Sequence, residues 1–278
     1  MTIADRSLLD GVRRVVVKVG SSSISGDNAG KIQLIVEALA GAHARGTEVV
    51  LVSSGAIATG MPYLALDERP VDLATQQAAA AVGQNVLIYR YQDALRPFEI
   101  VAGQVLLTAG DLENATHRSN ARRAMERLLG LRILPIVNEN DTVATHEIRF
   151  GDNDRLAALV AELIGADALV LLSDIECLYT RPPSEPGARP IDTVAFDDDL
   201  AGFEFGSVVV NSVGTGGAAT KVSAARLAAA AGIGVLVTSA DLVVEALSGA
   251  SIGTWFAPDP SARPHLGTGS VRTAANAS

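Results

Sequence analysis

The chain has 278 residues, 48% of them hydrophobic, enough to bury a sizeable core as one large domain or two modest ones. A formal net charge of -9 argues against nucleic acid or an anionic membrane as partner, so any anionic ligand must be held by a local arrangement of donors. The single cysteine, Cys177, cannot close an internal disulfide, and the four histidines show no zinc-site spacing, which fits a reducing, cytoplasmic setting.

The N-terminus, MTIADRSLLDGVRR, carries acids and no long apolar core, so neither a signal peptide nor an anchor is expected there. No later apolar run approaches the ~20 residues that span a bilayer. The first predicted strand is VVVKV at 15–19, followed by Gly20 and three serines. Only three lysines, Lys18, Lys31 and Lys221, stand among the 22 basic residues. An ammonium kept inside an apolar strand reads as a compact point charge with a task, although taken alone it fits a lysine snorkelling from an edge strand equally well.

Further apolar runs follow at 48–54, 100–108, 132–138, 168–174 and 234–239. Helical patterns lie between several of them. In DRLAALVAELIG, Leu156, Leu159, Val160, Leu163 and Ile164 fall at helical spacing, Asp152 to Asp154 offer caps and Gly165 ends the run. A second helix is expected from Lys221 to Gly232. Strands that are hydrophobic throughout and separated by helices argue for a mainly parallel central sheet covered on both faces, a three-layer α/β/α sandwich. The segment 181–190 is a proline-rich surface loop, and the acids of 196–205 read as a cap and a solvated face. Residues 1–257 are expected to form the domain, and 258–278, poor in apolar side chains, a flexible tail.

In parallel α/β sheets ligands bind beyond the carboxyl ends of the strands. The segments that follow these strands are Gly20 to Ser23, Ser53 to Gly60, Asn138 to Thr142, and Ser173 with Asp174. Glycines there let backbone N–H groups turn towards an anion, and serines add short donors. NSVGTGGAATK, 211–221, joins a glycine loop, a helix start and a lysine, the parts of a phosphate cradle, without matching the P-loop or the dinucleotide fingerprint. The loop 138–155 gathers Glu139, Asp141, Glu147, Asp152 and Asp154 among asparagines. Such a loop can hold an ammonium, order a lysine or take magnesium through water, and some of its members can simply cap the next helix. Two lysines, anion cradles and an acidic loop, with no nucleophile triad and no metal cage, fit phosphoryl transfer. With no general base in view, the acceptor can be a carboxylate, already ionised at neutral pH.

VVVKVGSS, VSSGAIATG, VNENDTV, RFGDNDRLAALVA, LLSDIECLYT and VGTGGAATKVSAARLA, in this order, closely resemble the amino acid kinase family, in the members that phosphorylate the side-chain carboxylate of glutamate. The resemblance covers about residues 12–257. It implies the family's sandwich fold and the reaction of ATP with L-glutamate to ADP and L-glutamyl 5-phosphate, the first step of proline biosynthesis, with Mg²⁺ accompanying ATP. Carried over by position, it implies catalytic roles for Lys18, Lys221 and Asp154, the last orienting the lysines. It implies glutamate binding at Ser54, Gly55, Asp141 and Asn153. It implies ATP binding at Lys18, Gly20, Ser173, Asp174 and the run Thr215, Gly216, Gly217, Ala218, Ala219, Thr220 and Lys221. Feedback inhibition by L-proline and a homo-oligomer are implied in the same way. Two departures stand out: the chain ends too soon for the C-terminal PUA module that many members carry, and Cys177 replaces the usual glycine of the nucleotide loop. A sister kinase acting on acetylglutamate, aspartate or a nucleoside monophosphate, and a non-catalytic glutamate sensor, are the competing readings.

Overall fold

The computed structural model describes residues 3–144, 153–201 and 217–262. Eight strands form one sheet: β1 (Arg14–Val19), β2 (Glu48–Val52), β3 (Ala102–Leu107), β4 (Leu134–Glu139), β5 (Ala168–Ser173), β6 (Thr193–Val194), β7 (Gly234–Ser239) and β8 (Thr254–Phe256). Their spatial order is β3-β4-β2-β1-β5-β7-β8-β6. Every neighbouring pair is parallel except β7 with β8.

The helices are α1 (Lys31–Ala44), α2 (Ala56–Gly60), α3 (Leu73–Leu95), α4 (Ala109–Glu113), α5 (Ala115–Gly130), α6 (Asn153–Ile164), α7 (Ala218–Ala230) and α8 (Val243–Leu247). Their starts follow from short polar side chains: Asp72 accepts from the Thr75 amide, and Asn114 from the amides of Thr116 and His117. Gly165, at φ +60, ends α6 as its place in the sequence predicts.

Strands β1, β4, β5 and β7 are buried along their whole length, which is why their apolar residues follow one another without a polar alternation. Val15, Val17 and Val19 pack with α1, α3 and α8 on one face. Val16 packs with α5, α6 and α7 on the other. The expected three-layer sandwich is therefore present. The two-residue period of a strand puts Lys18 on the Val16 side, under α6.

Strand β1 lies between β2 and β5, at the point where successive connections leave in opposite directions across the sheet. A crevice outside the carboxyl ends of the strands is a consequence of that topology. Lys18 is the next-to-last residue of β1 and so reaches the rim of this crevice.

The differences from expectation are local. β6 and β8, two and three residues long, carry too little sequence for a periodicity to register. Helix α7 begins at Ala218 rather than Lys221. The segment 258–262, placed in the tail on composition, lies against the end of α7, where the Asp259 amide donates to the Ala229 carbonyl at 2.8 Å. Among the described residues no helix is long and apolar enough to cross a membrane.

Candidate active site

The N-terminal turn of α6 lies over the end of β1 and brings a carboxylate to two lysines. Lys18 Nζ is 2.5 Å from Asp154 Oδ1, and Lys221 Nζ donates to Asp154 Oδ2 at 3.1 Å. The Asp154 side chain is 0% exposed, that of Lys18 3% and that of Lys221 9%. Asp154, read from the sequence as one of several cap candidates, thus turns its carboxylate to the lysines, while Asp152 lies outside the described residues. Two ammonium groups thus converge on one carboxylate in a region of low solvent access, where electrostatic attraction is weakly screened. Ammonium groups held this way are suited to meeting the oxygens of an anion.

The surrounding backbone leaves room for that anion. After β1 the chain turns through Gly20 and a single 3-10 turn, Ser21–Ser23. A Cβ on Gly20 would stand 3.9 Å from Lys18 Nζ, in the space in front of the ammonium. Gly55, which follows β2, sits at φ +84, a conformation that favours glycine, and a Cβ there would meet the Cβ of Ser21 at 3.3 Å. The turns after β1 and β2 are thus pressed together. On the other side of β1, Ser23 Oγ donates to the Ser173 carbonyl at 3.5 Å, and Ser173 Oγ donates to Asp174 Oδ1 at 3.0 Å. Gly217 caps α7, and its amide donates to Thr220 Oγ1 at 3.0 Å. Ala218, Ala219 and Thr220 form the first turn, whose N–H groups have no helical acceptor and favour anions. Thr215 and Gly216 lie outside the described residues.

A second set of contacts runs from the lysine cluster past the ends of β2 and β4 to α3. Asn153, next to Asp154, donates from Nδ2 to the Ser53 carbonyl at 2.6 Å and to Asn138 Oδ1 at 2.7 Å. Asn138 Nδ2 donates in turn to Gln84 Oε1 of α3 at 2.6 Å. Ser53 Oγ shares a hydrogen bond of 3.1 Å with the hydroxyl of Tyr91. Burial holds the Tyr91 phenol well above its ordinary range, against the smaller opposing effect of Ser53, so it stays protonated. Ser54 is half-buried beside this network, and Asp141 is half-buried in the turn after β4.

Of the residues expected from the sequence, Lys18, Lys221 and Asp154 are in mutual contact, Gly20 adjoins Lys18, and Asn153 joins the Ser53 backbone that leads into Ser54 and Gly55. Ser53 falls in one of the segments expected after the strands, whereas Gln84 and Tyr91 were not anticipated. Gln84 and Tyr91 occupy helix positions with no local signal of polar function, and only the fold carries them to the ends of β2 and β4. The donors that converge among the described residues are ammonium groups and amides around a carboxylate already held by two lysines. That set suits phosphate oxygens.

Residues 13–239 match the family model described as the amino acid kinase family. The chain is 71% identical over 258 residues to a glutamate 5-kinase of Clavibacter sepedonicus, covering 93% of this chain and 99% of that one. It is 72% identical over 258 residues to a glutamate 5-kinase of Leifsonia xyli subsp. xyli, covering 93% and 96%. Among solved structures it resembles carbamate kinase from Giardia lamblia bound to AMP-PNP, with a TM-score of 0.66 at 17% identity, covering 90% of this chain and all of that one. That last likeness concerns the fold. With the sheet order, the lysine pair on Asp154 and near full-length identity in agreement, the chain belongs to the amino acid kinase family, together with its glutamate 5-kinases.

Proposed function

We propose that this protein transfers the γ-phosphoryl group of ATP to the side-chain carboxylate of L-glutamate, giving ADP and L-glutamyl 5-phosphate, which opens proline biosynthesis. The observation that carries the reading is the buried Lys18–Asp154–Lys221 cluster at the rim of the β1 crevice. Phosphoryl transfer asks a protein mainly for positioning and charge neutralisation, and this cluster supplies both.

A carboxylate oxygen of glutamate attacks the γ-phosphorus as the bond to the β,γ-bridging oxygen breaks. A carboxylate of ordinary pKa, about 4.3, is already ionised at neutral pH, so the attacking group needs no base. Lys18, rigid on its strand, faces oxygens of the moving phosphoryl group. Lys221, at the start of α7, faces the phosphates with the helix amides and the Ser173–Asp174 turn beside it. Asp154 keeps the two ammonium groups oriented and apart while no phosphate is bound. Magnesium arrives with ATP and offsets phosphate charge. Asn153, Ser54, Gly55 and Asp141 form the glutamate side, with Asn153 Nδ2 committed to protein acceptors and its carbonyl oxygen left for a substrate donor. The cytoplasm, where both substrates occur, is the matching location, and L-proline inhibition and self-association belong to the same reading.

The test is turnover with MgATP and hydroxylamine, quantifying hydroxamate and ADP with glutamate, aspartate and N-acetylglutamate as parallel acceptors. Glutamate-dependent hydroxamate supports the reading. Hydroxamate with another acceptor only, or none with any, overturns it.

A further inference from the structure

The contacts that order Asn153 do not stop at the strand ends. They cross the sheet from α6 on one face to α3 on the other. Their donor directions are fixed by two backbone groups that cannot exchange roles. The Glu139 amide donates to one end of the Asn138 side chain at 2.9 Å, so that end is the oxygen. The nitrogen end must then face Gln84, which presents Oε1 to it at 2.6 Å. At the other terminus the Ser53 carbonyl can only accept, so the Asn153 atom 2.6 Å away is its nitrogen. The same nitrogen serves Asn138 Oδ1 at 2.7 Å. Gln84, Asn138 and Asn153 therefore form one polarised relay, in which each amide has a single admissible orientation.

The position of Gln84 is itself set by close backbone packing. A Cβ on its neighbour Gly83 would lie 1.8 Å from the Ala56 carbonyl oxygen, and one on Gly60 would lie 1.9 Å from the Ala79 carbonyl oxygen. Helix α2, which begins directly after Ser54 and Gly55, thus touches α3 backbone to backbone. Gln84 is carried on the same surface that supports the Ser54–Gly55 turn.

We infer that Gln84 is a positioning residue for the glutamate site, acting through Asn138 to hold the Asn153 carbonyl oxygen towards the substrate ammonium. The inference rests on the reading of this site as a glutamate site. Without the acceptor on Gln84 the Asn138 nitrogen loses its partner, the Asn138 oxygen that receives Asn153 is held in place by the Glu139 amide alone, and the Asn153 side chain is less firmly placed. The phosphate side is built from Lys18, Lys221 and α7, none of them a member of the relay.

The experiment compares wild type, Gln84→Met, Asn153→Ala and the double variant, each checked for a cooperative unfolding transition. Glutamate binding to wild type is measured calorimetrically in parallel with kcat/KM for glutamate and KM for ATP. Methionine keeps the length and helix preference of glutamine while removing its oxygen, so the helix is retained. In Gln84→Met, kcat/KM for glutamate is expected to fall about 10-fold, carried by KM, the scale of one buried hydrogen bond. KM for ATP is expected to stay within about twofold, and Gln84→Met to add less than about twofold in the Asn153→Ala background, as coupled groups do. An unchanged glutamate KM, an equal rise for ATP, or full additivity in the double variant would overturn the inference. Absence of glutamate binding in wild type would instead remove the reading on which it rests, and the inference with it.

Discussion

Lys18, on the first strand, and Asp154, in the first turn of α6, meet at 2.5 Å with almost no exposure of either side chain. Asp154 is the common partner that lets two buried ammonium groups coexist at the mouth of the crevice. Replacing it leaves two like charges facing each other in a region poor in water.

Asp154→Asn is therefore expected to cost about 3–5 kcal/mol of stability, the scale for breaking a buried ion pair from one side. It should also lower kcat by roughly 10²-fold, because the lysines are no longer held in register. A nonhydrolysable ATP analogue should raise the unfolding temperature of the variant more than that of wild type, since phosphate replaces the missing anion. Equal stability of the two proteins without nucleotide would contradict this account.

Lys18→Met removes one ammonium but leaves Asp154 paired with Lys221, so a folded protein is expected. Turnover should drop about 10²-fold or more, as when one preorganised electrostatic donor is lost, while the KM for glutamate moves little. Steady-state kinetics in both substrates decide it, and a kcat near that of wild type would rule out the role given to Lys18.

Gly83→Ala inserts a methyl group 1.8 Å from the Ala56 carbonyl oxygen, where backbone rather than a flexible side chain must yield. A loss of about 3 kcal/mol is expected, at the upper end for overpacking. Because α2 follows the Ser54–Gly55 turn, glutamate binding should weaken with it. Urea unfolding gives the first quantity and calorimetry the second. A variant as stable as wild type would show that the helices separate at little cost.

At the opposite end of β1 the Arg14 guanidinium reaches Glu126 at 2.8 Å and Glu48 at 2.7 Å. Hydrogen bonding to Arg14 holds the Glu126 carboxyl below its ordinary value of 4.5. A depressed folded-state pKa gives stability that is fully present above the unfolded value and is lost as pH falls through the folded one. Wild type should lose stability below about pH 4.5 more steeply than Glu126→Gln, with partial exposure keeping the difference small. Parallel acid limbs in chemical unfolding at stepped pH would contradict the assignment.

Much of the architecture was legible because the central strands are covered on both faces and so announce themselves as unbroken apolar runs. Lys18 was conspicuous for the same reason, as a charge inside the apolar run 15–19. Its connection to Asp154 was not derivable from spacing, and came from family resemblance until the fold brought the two together. Gln84 and Tyr91 were invisible, since a glutamine and a tyrosine on a long helix acquire meaning only from the distant strand ends they reach. β6 and β8 escaped because strands of two and three residues are held by their neighbours, not by their own composition.

The central claim is that a glutamate carboxylate attacks phosphorus. It is tested most directly by supplying glutamate labelled with ¹⁸O in its side-chain carboxylate, MgATP and hydroxylamine, and analysing the inorganic phosphate by mass spectrometry. Attack on phosphorus forms the acyl phosphate, and hydroxylamine then cleaves it at carbon, so each phosphate released should carry one labelled oxygen. Unlabelled phosphate would mean that ATP is split without passing through the glutamate carboxylate, and the account would fail.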